Sequence, residues 1–296
     1  MQNRPTVALL YHKMHEGRLN NTLVREMIPH WKAAGFEIRE LFGIRKFVPA
    51  DTLYMHVDLS VVPPDYLAFA HRYPRVINGR ITDIRKRLYS QIQVRRGDGY
   101  KGQVLVKTSH NYGGGPEALL RSKSWGIDFF HRAYRAVARR SKNSPYQIRT
   151  REQYRIYPSV DEVPDEILNS PELVIEKYLP EREGGRLRLR YYFFLGDHEV
   201  SASKLSGDPL CLKGTQTFDE NEIPDEIRQV RKRMGLDYGK IDYAIHEGKP
   251  VFFDVNKTQG VLPNGASDFQ KEIARRLAGG LRSFFPEMQA AHAVPA

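Results

Sequence analysis

Two aspartates and an asparagine near the end of the chain have the side chains that bind a hard cation. They lie in KIDYAIHEGKPVFFDVNKTQG, Lys240 to Gly260. Ile241, Tyr243 and Ile245 alternate with other residues, as do Val251, Phe253 and Val255, so the stretch reads as a β-hairpin turning at Glu247-Gly248-Lys249. A three-residue turn pairs His246 with Pro250 and, in the same register, Asp242 with Asp254. Both carboxylates then share the polar face with Asn256. Like charges opposite each other weaken a ladder, so something must neutralise them. A hard cation such as Mg²⁺, held by carboxylate and amide oxygens, would do so. So would lysines or arginines around a solvated face.

Three other stretches carry candidate chemistry. VKTSHNYGGGPE sets Lys107 at the end of an apolar strand, before Gly113, Gly114 and Gly115. Consecutive glycines there let backbone N–H groups approach a phosphate, although the pattern is neither a Walker A loop nor GxGxxG. Standing alone, it reads better as a plain flexible turn. VIEKYLPERE reads as a strand entering a hinge at Glu176, Lys177, Tyr178 and Leu179, where backbone groups can meet an adenine edge. Glu183 could accept hydrogen bonds from a ribose; the plain alternative is a charged loop. In RLRLRYYFF, period-two spacing puts Arg186, Arg188, Arg190 and Tyr192 on one strand face, a row suited to a phosphoryl group or a carboxylate, or else to solvent.

The order of these signals, from Asn78 to Gly260, resembles the ATP-grasp superfamily: helix lysine, strand lysine with glycine loop, hinge glutamate, strand arginines, then Asp…Asp-x-Asn. The closest likeness is to D-alanine–D-alanine ligases and to the ligases that add glutamate to a ribosomal protein. The resemblance implies that Lys86 (or Arg85) and Lys107 contact ATP phosphates and that Gly113, Gly114 and Gly115 form a lid. It implies an adenine hinge at Glu176, Lys177 and Leu179, a ribose contact at Glu183, and Mg²⁺ (with Mn²⁺ as a substitute) on Asp242, Asp254 and Asn256. Arg188 or Arg190 would face the reacting phosphoryl group. Two departures stand out: Asp254 where many relatives have Glu, and Lys257-Thr258-Gln259-Gly260 where they often read x-x-Pro-Gly. The second puts the acceptor in question rather than the nucleotide.

These residues need elements to position them. The first segment alternates strands and helices: TVALLYH, a helix in NNTLVREMIPHWKAAG capped by Asn20 or Asn21 and stopped by Gly35, FEIRELFG, TLYMHVDLSVVP, PPDYLAFAHRY and RVIN. Pro29 should kink or shorten that helix. The rhythm predicts a small, mostly parallel sheet. ITDIRKRLYSQIQ reads as an amphipathic helix, and FFHRAYRAVARRSKN as a basic one. RLRLRYYFFLGDHEVSAS is a hairpin turning at Gly196-Asp197, SGDPLCLKGTQTF is irregular, and PDEIRQVRKRMG and FQKEIARRLAGGLRSFF are helices. The expected fold class is α/β with α+β lobes: an N-terminal unit over 1–77, a small lobe over 78–179, a C-terminal lobe with the metal site over 180–286, and a loose tail over 287–296.

Bulk properties narrow the function. Of the 296 residues, 41% are hydrophobic and 27% charged, an ordinary globular balance. No apolar run nears the roughly 18 residues of a membrane span, and MQNRPTVALLYHK reads as a strand rather than a secretion signal. The single Cys211 excludes an intrachain disulfide and a CxxC metal site, so a reducing, cytoplasmic setting is expected. Between Arg121 and Arg155, ten Lys or Arg face two acids, which accounts for most of the net charge of +11. That surplus attracts polyanions, yet no zinc-finger or RNA-recognition signature accompanies it, and nucleic acid is not favoured.

The expected activity is an ATP- and Mg²⁺-dependent carboxylate–amine ligase. It would act on a small-molecule or peptide carboxylate and an amine acceptor, with the basic balance favouring an acidic substrate. A kinase on the same fold and a non-catalytic polyanion-binding module are the alternatives. Relatives are often dimers or tetramers, so a homodimer is an open expectation. His56 and Asp58 share a strand face, and Lys204, Lys213 and Lys257 read as loop lysines; none is placed in the site.

Overall fold

Short apolar runs separated by glycine and proline build three sheets. The computed structural model describes residues 4–16, 21–117, 120, 148, 150–219, 222–261 and 264–286. The basic stretch around Arg132 to Arg140, the cap candidate Asn20 and the tail 287–296 lie outside the described residues.

The first sheet contains β1 (Thr6–Tyr11), β2 (Glu37–Phe42), β3 (Thr52–His56) and β4 (Val76–Ile77), all parallel, in the order β2-β1-β3-β4. Helix α1 (Leu23–Ala33) and α2 (Pro64–Ala70) cover its two faces. Thr22, not an asparagine, precedes α1, and Pro29 stands inside that helix without ending it. Gly35 follows at φ +94°, a conformation that favours glycine.

The second sheet is antiparallel, β5 (Val104–Thr108) lying between β6 (Arg155–Tyr157) and β7 (Leu173–Lys177). Its core joins Val104, Val106 and Ile175 to Val160, Val163 and Ile167. The helix expected over ITDIRKRLYSQIQ shrinks to one turn, α3 (Lys86–Tyr89), because the chain on either side pairs with other elements: Val62 N–H donates to Thr82 O, and Val94 N–H to Ile175 O.

The third sheet holds β8 (Glu181–Glu183), β9 (Arg186–Leu195), β10 (His198–Ser206), β11 (Thr215–Phe218), β12 (Tyr238–His246) and β13 (Lys249–Asn256). Strand β11 lies in a stretch expected to be irregular; it pairs Gln216 with Lys204, so Lys204 is a strand residue rather than a loop one. Along β9 the odd residues Leu187 to Leu195 enter a core shared with β1 and α1, while Tyr192 and Phe194 enter a second core with Ile241 and Tyr243. Trp31 Nε1 donates to Ala278 O at 2.9 Å, tying α1 to the helix Asp268–Ala278.

The β12–β13 hairpin pairs Asp242 with Asp254 as the alternation predicts, but by another route. Its turn has two residues, Glu247 (φ +49°) and Gly248 (φ +76°), so Ile245 rather than His246 meets Pro250. A bulge beyond Asp242 then shifts the register by one, so that Tyr243 pairs with Phe252 and Asp242 still meets Asp254. As a result Phe252, not Phe253, joins Val255 in the core beneath the sheet.

Candidate active site

A cleft of about 130 Å³ lies between the second and third sheets. Its charged lining includes Lys86, Lys107, Glu176, Arg188, Asp242 and Asp254. The rest is largely apolar, with Leu105, Leu187, Leu189 and Ala244 on its walls and the segment Lys177 to Glu181 along one edge. Eight sequence-predicted residues therefore line one space: these six, Lys177 and Leu179.

The charges are paired across elements. Lys86, with 2% of its side chain exposed, stands at the start of α3 with Nζ 2.9 Å from Asp254 Oδ1. Lys107 Nζ lies 2.5 Å from Glu176 Oε2 and donates to Phe253 O at 2.7 Å, linking β5, β7 and β13. Lys240 Nζ lies 2.7 Å from Asp242 Oδ1. Each of the two opposed aspartates thus has a lysine beside it. Burial disfavours ionisation of Asp254, but Lys86 and Lys107 outweigh it and hold its carboxyl below the usual range. Lys86 is correspondingly held above the ordinary lysine value in spite of its burial.

Asn256 is turned toward Asn111: its Oδ1 accepts from Asn111 Nδ2 at 3.1 Å. It is not among the residues lining the cleft, and neither are Glu183, Arg190 and the three glycines. Gly113 and Gly114 form a tight 3-10 turn with φ of +65° and +71°, which explains glycine at both positions. Glu183 reaches Arg188 Nε at 2.5 Å. Arg190 is held in a fork by Glu181, with Nε to Oε2 at 2.8 Å and Nη2 to Oε1 at 2.6 Å. The Glu176 side chain is buried and paired with Lys107 through Oε2, while its Oε1 has no hydrogen-bond partner and the residue lines the cleft.

A metal's fit can be judged from the donors. Asp242, Asp254 and Asn256 offer hard oxygens, and buried Asp242 Oδ1 accepts no hydrogen bond although Lys240 Nζ is close. Among the described residues, no cluster of three or more His, Cys, Asp or Glu forms a metal site. Asp242 and Asp254 fit a Mg²⁺-like ion that takes most of its shell from a ligand, and Asn256 would join them only by turning from Asn111.

Several site residues were missed in the sequence. Tyr89 OH donates to Asp254 Oδ1 at 3.1 Å; it lies three residues after Lys86, on the same helical turn. Asn111 joins Lys86 (Nζ to Oδ1, 2.8 Å), Val255 O (2.9 Å) and Asn256, immediately before the glycine loop. Lys240 stands two residues before Asp242 on the same face, a period-two signal that was available. No helix among the described residues is long and apolar enough to cross a membrane.

No family model and no curated protein matches the sequence. Over 97% of its length, the chain is similar to a crystal structure of D-alanine–D-alanine ligase from Bacillus anthracis, 98% of which is covered, at 11% identity and a TM-score of 0.49. A RimK domain protein, ATP-grasp, from Sphaerobacter thermophilus is similar over 95% of this chain and 98% of its own, at 11% identity and a TM-score of 0.48. The ATP-grasp ligase PsnB, complexed with minimal precursor, is similar over 94% and 100%, at 12% identity and a TM-score of 0.48. The chain resembles ATP-grasp structures. At these identities the likeness concerns the backbone alone.

Proposed function

We propose that this chain is an ATP- and Mg²⁺-dependent ligase of the ATP-grasp kind, which activates a carboxylate as an acylphosphate and couples it to an amine. The observation that carries this reading is that Lys86, Lys107, Arg188, Asp242 and Asp254, from different elements, line one cleft whose other walls are largely apolar. An adenine would pack between the apolar walls, with the backbone of Lys177 to Leu179 at its edge. The triphosphate would reach the lysines. Asp242, Asp254 and Asn256 would hold Mg²⁺, which supplies charge neutralisation at the β- and γ-phosphates.

The chain's own residues supply position and field rather than a nucleophile. Lys86 and Lys107, already fixed by Asp254 and Glu176, would bind phosphate oxygens without first being ordered. Arg188 would stabilise charge as a substrate carboxylate oxygen bonds to the γ-phosphorus and the bond to the β,γ-bridging oxygen breaks, releasing ADP. The amine nitrogen then attacks the acyl carbon. The carbon–oxygen bond to phosphate breaks, and the amine's proton passes to solvent.

The test is calorimetric titration of ATP, or a non-hydrolysable analogue, with and without Mg²⁺, on wild type and Asp254→Ala. Mg²⁺-dependent binding that weakens at least ten-fold in the variant is expected. Absence of binding in both proteins sinks the proposal. Phosphate release during turnover, rather than a phosphorylated acceptor, separates a ligase from a kinase.

A further inference from the structure

Beside the cleft lies a second space of about 150 Å³, whose lining includes Tyr191, Lys204, Gln216 and Lys240. Arg151 is the one described side chain that lines both spaces, so it stands between them. Arg188, by contrast, lines the cleft alone. Arg151 belongs neither to the β12–β13 hairpin nor to the row of strand arginines. It opens a short 3-10 turn, Arg151–Gln153, just before β6. Gln153 N–H donates to Thr150 O at 3.1 Å and Thr150 N–H to Gln153 Oε1 at 3.2 Å, which closes that turn. Tyr154 follows and ties the turn to β5, its hydroxyl lying 3.1 Å from Thr108 Oγ1. The base of the side chain is therefore fixed on the second sheet, while its guanidinium feels Asp242 and Asp254 of the third.

The charges around that guanidinium leave it open to an anion. Burial works against its ionised form, but Asp242 and then Asp254 outweigh burial and hold it above its ordinary value. Neither aspartate is ion-paired with Arg151 among the described residues, since Lys240 lies on Asp242 and Lys86 on Asp254. The two carboxylates thus favour the charge without occupying the fork of N–H donors. An acceptor entering from the second space meets a nucleotide in the cleft at this side chain. Parallel N–H donors match two phosphoryl oxygens, and charge is spread over those oxygens during transfer. We propose that Arg151 is a further catalytic residue, with its guanidinium on the γ-phosphoryl group of bound ATP. It stays there while a carboxylate oxygen bonds to phosphorus and the bond to the β,γ-bridging oxygen breaks. ADP leaves with that electron pair, and Arg151 exchanges no proton. This rests on the ligase reading of the cleft.

The experiment titrates the full chain with Mg²⁺ and either ADP or a non-hydrolysable ATP analogue, in about 0.3 M salt to screen distant charges. Arg151→Gln is expected to weaken the ATP analogue about ten-fold, the size of a lost charge-assisted contact, and ADP by less than about three-fold. Arg151→Lys keeps the charge but not the fork and should fall between. Lys204→Gln removes a cation that lines only the second space and should leave both affinities unchanged. Thermal melts check that each variant is folded. Equal weakening of ADP and the analogue overturns the proposal, because Arg151 would then act on the nucleotide as a whole. So does a loss in Lys204→Gln as large as that in Arg151→Gln, which would be an effect of net charge rather than of contact. Wild-type binding that Arg151→Gln leaves unaltered removes the role of Arg151 and leaves the ligase reading standing. Wild type that binds neither nucleotide sinks both.

Discussion

Lys86 Nζ lies 2.9 Å from Asp254 Oδ1, joining the buried lysine of the one-turn helix α3 to the end of the β12–β13 hairpin. Both groups have polar neighbours as well, Asn111 on the lysine and Tyr89 on the aspartate. A buried pair of this kind adds little over a well-packed apolar pair, but breaking one side leaves a charge in low dielectric. Lys86→Met is therefore expected to cost about 3–5 kcal/mol, read as a lowered denaturation midpoint at neutral pH. The double variant Lys86→Met/Asp254→Leu should recover most of that loss. A single variant as stable as wild type would show that Lys107 and Lys240 alone compensate Asp254.

The two strand arginines have different surroundings and should fail differently. Arg188 lines the cleft and, among the described residues, is ion-paired only with the half-exposed Glu183, whereas Arg190 is forked by Glu181 and lies 3.9 Å from Asp219. Glu181 Oε2 also accepts from Ile245 N–H at 2.8 Å, so the Arg190 pair braces β8 and β9 against β12. Arg188→Ala is expected to lower kcat at least ten-fold with little change in melting temperature. Arg190→Ala is expected to destabilise by about 2–4 kcal/mol. The opposite pattern in kinetics and melting would assign the phosphoryl contact to Arg190.

Much of this arrangement was legible in the sequence because period and chemistry agree. The parallel first sheet follows from apolar runs such as VALLY, and the opposed aspartates from alternation on two strands. What alternation cannot reveal is a bulge. Phe252 and Phe253 are adjacent and chemically identical, so nothing local says which enters the core. The mistaken three-residue turn and the unseen bulge each shift the register by one, and the errors cancel at Asp254. Lys240 escaped notice because it stands outside the Asp…Asp-x-Asn spacing, and its partnership with Asp242 appears only when the strand is drawn. The helix over ITDIRKRLYSQIQ failed for a tertiary reason: its ends hydrogen-bond to other elements before a second turn can form.

Asn111 is the one side chain that touches Lys86, the β13 backbone and Asn256 together, while its own N–H donates to Ser60 Oγ at 3.0 Å. It therefore fixes the entry to the glycine turn relative to Lys86 and the end of β13. Asn111→Ala removes three side-chain contacts at a buried position and should raise the Mg²⁺ concentration needed for half-maximal ATP binding at least five-fold. Asn111→Asp keeps the shape and the acceptor toward Lys86 but loses the donor to Val255 O and Asn256 Oδ1, so its metal requirement should be intermediate. Calorimetry across a Mg²⁺ series would read both. An unchanged metal requirement in Asn111→Ala would reduce Asn111 to a packing residue.

Lys257 gives a pH signature that needs no substrate. It is 1% exposed, and Nζ donates to Val57 O at 2.6 Å. Burial dominates over the attraction of Asp58, Glu117 and Asp83 and lowers its pKa to about 8 from the usual 10.5. Below pH 8 both folded and unfolded chains hold the proton, and the folded state bears the full cost of burying the charge. Between pH 8 and 10.5 the unfolded chain binds more protons, so stability rises with pH through that window. The total is about 3 kcal/mol at roughly 1.4 kcal/mol per pKa unit. Raised tyrosine pKa values act in the opposite sense above pH 10, so the informative range is pH 7.5 to 9.5. Urea midpoints of wild type should climb relative to Lys257→Met across that range. Parallel curves for the two proteins would mean that Lys257 keeps its proton in the fold and that the Val57 carbonyl holds a charged ammonium.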